Sequence, residues 1–334
     1  MINDFILNLP FAKYFNTTAM KNILMTVFIA LLMLFTPKAK AQRHEFGFFL
    51  GGDYYLGDLV SSNFAGQIGP NAGLMYRYDF NHRIAARIAG HFGMIYGDSK
   101  DNKASLRYKN LSFQTVLLDF EMGIEINFLE FSPESDNHRF TPFVYGGFSV
   151  FHFNPKAEFQ GQLYELQPLG TEGQGTTAFP DKTPYKLTSW AIPFGFGLKW
   201  AVSHRVNVAL EWGLRKTFTD YLDDVSSRYP DVELLSAEKS PVAAMLSVRM
   251  FEDWADQQGL DISLGANGQP NNMPDYKAYL EKLKTASGSQ RGNSEDKDWY
   301  SIFGLTFTFK IVGPKKGTCP AYKKHHYFKE YLTY

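Results

Sequence analysis

Ser149 and His152 come closest in this sequence to a nucleophile with a base beside it. The two must meet within hydrogen-bond reach to act, and three positions along an extended strand place them on opposite faces. His91 and His204 have no nucleophile at a usable spacing. His325-His326 sits in a lysine-rich stretch, where adjacent histidines read as polar residues rather than as metal ligands. Gly51-Gly52 and Gly146-Gly147 are not followed by a helix and so do not form a phosphate loop. Cys319 is the single cysteine, which excludes an intramolecular disulfide and a cysteine-rich zinc site. The expectation is no enzyme, no cofactor and no resident metal. What remains is a set of charges at strand-like spacing: Arg77, Asp79, Arg83, Arg87, His91, Asp119, Glu121, Glu125, Lys199, Arg205, Glu211 and Arg215. Both signs on one face are expected to pair with each other, because a buried unpaired charge is costly.

The opposite face of the same segments says what surrounds those charges. Trp190, Ile192, Phe194, Phe196, Leu198, Trp200 and Val202 alternate with Ala191, Pro193, Gly195, Gly197, Lys199 and Ala201. An apolar face of that length, ended by aromatics, fits a tilted strand crossing a bilayer, which needs about 9–11 residues. The pattern recurs. The first segment covers about Glu45 to Tyr55. Ala72, Leu74, Tyr76, Tyr78 and Phe80 share a face in the second, Asn71 to Phe80. Ile84, Ala86, Ile88, Phe92, Met94 and Tyr96 do so in the third. The fourth, Leu111 to Phe128, changes parity between Thr115 and Leu118, as a β-bulge near Val116 would produce. The fifth covers about Phe140 to Asn154 and is apolar on both faces; Trp190 to Val202 is the sixth. Val206 to Arg215 is the seventh and Trp299 to Ile311 the eighth.

The joints at Asn81-His82, Pro133 and Ser203-His204 are short or moderate, whereas those over 56–69, 97–110, 155–184 and 219–298 are long. Strict alternation of short and long joints is that of an outer-membrane barrel, with periplasmic turns and extracellular loops. The predicted fold is all-β, an eight-stranded antiparallel transmembrane barrel with both termini in the periplasm. Ile192, Phe194, Phe196, Leu198, Val208 and Leu210 then face lipid. A soluble β-sandwich is the competing architecture and leaves the wholly apolar second face unexplained. An eight-stranded barrel is just wide enough for side chains to fill it, so the charge network, Arg77, Asp79, Arg83, Arg87, Asp119, Glu121, Glu125, Glu211 and Arg215 above all, is expected to plug the lumen. A conducting pore would need more strands or a one-sided lining.

Met20, Lys21 and Asn22 precede an apolar run from Ile23 to Phe35, and Ala39-Lys40-Ala41 follows. That is the plan of a signal peptide over 20–41, with 1–19 as an over-called start and the barrel over 42–311. No later run approaches the ~18 apolar residues of a membrane helix. Lys plus Arg and Asp plus Glu both number 34, so no global basic field favours nucleic acid. Within 219–298, Ser240-Pro241 marks a helix start with Val242 to Ala255 behind it, and Pro274-Asp275 opens another carrying Tyr276, Tyr279, Leu280 and Leu283. Residues 312–334 form a basic periplasmic tail with Lys315, Lys316, Lys323, Lys324, Tyr327 and Phe328. With the turn at Pro133, these residues are the candidate partner surface.

Several strings resemble the PorG-like outer-membrane barrels of the type IX secretion system of Bacteroidota. They are DYYLGDL from Asp53, YGDS from Tyr96, NLSFQT from Asn110, TPFVYGGFSVFHFNPKA from Thr141 and TEGQGT from Thr171. EWGLRKTFTDYLDDVS from Glu211 and RGN at Arg291, leading to Asp298-Trp299-Tyr300, complete the set across nearly the whole mature chain. The resemblance implies a barrel in outer-membrane lipid that tethers or organises periplasmic ring proteins, PorK- and PorN-like, and is itself neither conduit nor motor. It implies no catalytic residue. The alternative is a small channel or an adhesin-like barrel whose long loops bind a ligand.

Overall fold

The computed structural model describes residues 43–60, 67–101 and 104–311. The expected signal peptide and basic tail lie outside the described residues. The strands are β1 (His44–Leu56), β2 (Gly69–Asp79), β3 (Ile84–Asp98), β4 (Ser112–Asn127), β5 (Phe140–Phe159), β6 (Gln162–Glu165), β7 (Thr188–Ala201), β8 (Val206–Thr217) and β9 (Trp299–Lys310). Round the sheet the order is β4-β3-β2-β1-β9-β8-β7-β5, and β4 pairs with β5 to close it. Every neighbouring pair is antiparallel. The result is a closed eight-stranded barrel, and closure removes the unpaired edges that lipid cannot solvate.

The tight turns follow from local chemistry. Asn81 Oδ1 accepts from the Arg83 and Ile84 amides at 2.8 and 2.9 Å, and Ser203 Oγ accepts from Arg205 and Val206 at 3.3 and 3.1 Å. Such side-chain bonds make Asn and Ser turn formers. At this end the Ile311 amide also donates to the His44 carbonyl at 2.9 Å, so the barrel begins and finishes on the short-turn side.

The outer face is an apolar belt. Ile192, Phe194, Phe196, Leu198 and Leu210 are exposed, and Val208 is half-buried between neighbours. Phe140–Trp200 and Tyr78–Phe80 ring pairs mark one rim, and Phe148–Trp190 and Phe194–Trp299 lie towards the other. No helix among the described residues is long and apolar enough to cross a membrane; the spanning elements are strands.

Two strand expectations need correction. No bulge interrupts β4, which keeps one register against β3 from Ile84↔Ile126 to Asp98↔Ser112. Phe113, Thr115 and Leu117 simply continue the inward parity of Asp119, Glu121 and Glu125. Their apolar character is explained by what the barrel mouth holds. Strand β5 runs past Asn154 to Phe159 and turns through Gln160-Gly161 into β6. Both turn residues have positive φ, 50° and 76°, as a two-residue hairpin of matching twist requires. The β5–β7 ladder also lapses opposite Pro193, which has no N–H to give.

The long loops carry short helices: α1 (Ala104–Arg107), α2 (Leu166–Leu169), α3 (Val232–Glu238), α4 (Pro241–Ser247), α5 (Glu252–Gln258) and α6 (Met273–Lys284). Ser240 caps α4 as expected, donated to by Ala243 N at 3.1 Å. The helix predicted over Val242 to Ala255 is broken between α4 and α5, however. Asn272 caps α6, which buries Tyr276, Tyr279 and Leu283. These helices and the returning loop share one apolar cluster with the upper barrel wall, including Leu222, Val232, Met245 and Leu246 against Phe113, Leu117, Phe151 and Phe153. The loops therefore form an ordered cap seated in the mouth of the barrel.

Candidate functional site: the filled lumen and its cap

From the short-turn end upward, the lumen begins with Phe131. The β4–β5 turn folds this ring in as a floor, and Lys199 Nζ lies 4.8 Å from its centroid. Above it the strand parity brings the charges together. Arg77 reaches Glu45 at 3.0 Å and Glu125 at 2.8 Å. Glu125 also receives Lys199 Nζ. Arg87 binds Glu121 at 2.9 Å and Glu211 at 3.0 Å, with its guanidinium carbon 3.7 Å over the Tyr145 ring. Arg215 binds Glu121 at 2.8 Å, sits 3.7 Å from Asp119 and donates to Tyr145 Oη at 3.3 Å. Asn207 and Thr308 each donate to Glu45 at 3.0 Å. All these charged side chains are buried.

Gly213 is part of this packing. A Cβ there would run into the Tyr145 hydroxyl and the Arg215 guanidinium, so the glycine lets the ring and the cation cross.

Most of the charges predicted for the network are in it: Arg77, Arg87, Asp119, Glu121, Glu125, Lys199, Glu211 and Arg215. Three are not. Arg83 is exposed in the β2–β3 turn and donates to the Phe128 carbonyl at 3.0 Å. Arg205 is likewise exposed, in the β7–β8 turn. Asp79 sits at the rim, 3.6 Å from Lys310 and outside the central cluster. Turns splay their side chains away from the lumen, so strand parity cannot be extended into them. Glu45 was missed; its inward parity in β1 was the available signal.

Ser149 is fully buried in the lumen, whereas His152 lies on the outer face and contacts Thr188 at 3.2 Å. The two are apart, as their spacing requires. His91 is buried against Asn71 and the Phe49 ring. Pro133 is buried, not displayed: its carbonyl lies 2.9 Å from His204 Nδ1. The exposed residues of that turn are Glu134, Asp136, Asn137 and His138. The predicted tail residues, Lys315 to Phe328, lie outside the described residues.

The cap holds a second polar cluster that the sequence reading did not locate. Glu172 Oε1 receives Arg291 at 3.1 Å and the Ser226 and Ser227 amides at 2.8 and 3.0 Å. Arg291 also bonds the Asp224 carbonyl, and the Asp224 carboxyl takes the Thr171 hydroxyl and, at 2.7 Å, the Tyr185 hydroxyl. Burial lifts the Asp224 carboxyl to about 6 although Arg291, Thr171 and Tyr185 pull it down. Burial also depresses Lys109, whose ammonium donates to the Arg291 carbonyl at 2.7 Å. The Thr115 hydroxyl, inside the barrel, donates 3.0 Å to the carbonyl of Leu222, so the loop is bonded down into the lumen. Asp58, Glu172, Asp220, Asp223, Asp224, Arg291 and Asp298 all belong to the strings that carry the family resemblance. Among the described residues no His, Cys, Asp or Glu group is arranged to hold a metal ion.

A closed antiparallel barrel with an apolar outer belt, aromatic rims and a filled polar lumen defines the class of outer-membrane β-barrels. Within that class the chain belongs to the family described as domain of unknown function DUF6089, which matches residues 21–237. No curated protein matches it. Solved structures with a similar fold include Neisserial surface protein A (9% identity, TM-score 0.34, 80% of this chain and 96% of that one). Pseudomonas aeruginosa OprG is similar at 10% identity and TM-score 0.33 over 80% and 97%. Yersinia pestis Ail is similar at 11% identity and TM-score 0.28 over 53% and 87%.

Two stacked plugs, ionic below and apolar above, fill the lumen among the described residues. Purified full-length protein in planar bilayers is expected to give no steady single-channel conductance. Regular unitary steps at neutral pH would overturn the plugged reading.

Proposed function

We propose that the protein is a non-enzymatic outer-membrane barrel that anchors or organises periplasmic ring components of a type IX secretion machine. The observation that carries this reading is the occluded lumen. A barrel filled from Phe131 at its floor to Leu222 at its mouth acts through its surfaces rather than its interior. The family strings supply the particular machine, and PorK- and PorN-like ring proteins are the partners they imply. With Pro133 buried, the candidate docking residues of the barrel are those exposed in the β4–β5 turn, Glu134 and Asp136 to His138; the basic, aromatic tail is a separate candidate read from its sequence. Lysines interleaved with rings suit a protein surface, the charges steering and the rings supplying contact area.

Deleting residues 316–334 should leave the barrel folded, read as heat-modifiable gel mobility, while weakening ring co-purification and secretion together. Normal secretion and co-purification from that truncation would remove the tail from the mechanism. Affinity purification of the tagged full-length protein from membranes tests the partner class directly. Recovery without any ring protein would count against the anchor. The ordered cap favours a second reading, a barrel that binds a ligand on the cell surface. It predicts that shaving the cap abolishes function while ring co-purification stays intact.

A further inference from the structure

Three distant stretches of chain meet where the cap enters the barrel. Tyr55 stands at the outer end of β1, Asp298 just precedes β9, and Asp223 lies in the segment that dips into the mouth. The Tyr55 hydroxyl is 2.7 Å from Asp223 Oδ2 and 2.7 Å from Asp298 Oδ1, and all three side chains are buried. Each carboxyl also accepts a backbone amide: Leu222 on Asp298 at 3.0 Å and Val225 on Asp223 at 2.9 Å. A phenol has one hydrogen to donate. It accounts for one of the two short contacts. The other requires a second hydrogen, since two bare acceptors, one of them an anion, would otherwise face each other at 2.7 Å away from solvent.

We infer that Asp223, Tyr55 and Asp298 share one acid proton, and that this proton latches the 218–226 segment of the cap onto the barrel wall. The surroundings agree. Burial, and for Asp223 the neighbouring Asp298, hold both carboxyls well above the usual carboxylate range. Asp58 from the β1–β2 loop bears on both carboxyls, and Asp220 from the cap bears on Asp298. Of the nearby cations, Lys109 faces Asp58 and Asp223 but donates its hydrogen bond to the Arg291 carbonyl, and Arg291 is paired with Glu172 and Asp224. Lys297 faces Asp220. Leu222, between the latched residues, is fully buried and is the part of the segment bonded to Thr115 inside the lumen. Releasing the latch therefore uncovers the top of the barrel.

The sign follows from linkage. The latched state binds one more proton than the released state above the ordinary carboxylate range. Its advantage is full at low pH and falls, by up to tenfold in the closing constant per pH unit, until the pair itself ionises. Asp220, pushed up to about 7 chiefly by burial, titrates in the same window and must be separated from the pair.

Hydrogen exchange on the full-length protein in micelles, from pH 5 to 9 and corrected for intrinsic rates, reads this directly. Protection of the Leu222 and Val225 amides should decline with rising pH while the barrel strands stay protected. Asp223→Asn and Asp298→Asn, whose amides supply the missing hydrogen without titrating, should each flatten the decline; Asp220→Asn should not. Protection independent of pH in the unmodified protein overturns the latch even if no variant folds. So does a decline that Asp220→Asn removes and Asp298→Asn leaves.

Discussion

Glu125→Ala is expected to destabilise the folded barrel by about 3–5 kcal/mol, the range for breaking a buried ion pair by removing one partner. Glu125 is the acid on which the lower lumen converges: Arg77 at 2.8 Å, Lys199 on its other oxygen, and Arg87 at 3.9 Å. Its removal leaves Arg77 with Glu45 and strips Lys199 of its carboxylate inside the buried lumen. Urea titration of reversible folding into vesicles measures the loss. Two comparisons make the number diagnostic. Asp79→Ala, at the half-open rim beside Lys310, should cost far less. Glu125→Leu combined with Lys199→Met should recover part of the loss, because replacing both partners removes the orphaned charge as well as the pair. A Glu125→Ala barrel as stable as its parent would mean that the network is decoration.

Phe196→Arg tests the opposite face and should cost about 2–4 kcal/mol, as a cation near the bilayer midplane of a barrel does. Phe196 is 55% exposed and lies midway between Trp190 and Trp200 on β7. The same substitution at Trp200, on the rim, should cost about 0–1 kcal/mol, since the penalty fades towards the interface. That gradient separates a lipid-facing belt from a soluble apolar surface, where depth along the strand would not matter. The inward neighbour Gly197 is no simple control, because a Cβ there would press on the Leu210 carbonyl and the Phe143 ring. Equal effects at Phe196 and Trp200 would count against the membrane span.

Alternation alone carried most of the architecture. The period-two segments, with one run over 140–154 apolar on both faces, gave all eight barrel strands, the short and long joints gave their up-and-down order, and parity placed Arg87, Glu121, Glu125, Glu211 and Arg215 on one inward surface. This works because a barrel strand separates two environments so unlike that each side chain records which it faces. Parity records the face, however, and not what lies against it. Leu111, Phe113 and Thr115 were read as sharing the face of Leu118 and Phe120 across a bulge, because an apolar run looks like one continuous belt. Phe113 and Thr115 point inward, and the bulge invoked to explain them is absent, because the loop around Leu222 returns to cover them with apolar side chains. Pro133 fails similarly: a turn between strands looks like surface until Phe131 is seen folded into the barrel and Pro133 buried with its carbonyl on His204.

The cap was out of reach for the same reason on a larger scale. Helix signals at Ser240-Pro241 and Pro274-Asp275 are local and survived into the structure. The bond from Tyr55 to Asp223 spans 168 positions and the one to Asp298 spans 243. Local chemistry decides strands, turns and caps, because neighbours in sequence supply the partners. Which acids share a site is decided by closure of the barrel, which brings the ends of β1 and β9 together and leaves one mouth for the longest loop to fill.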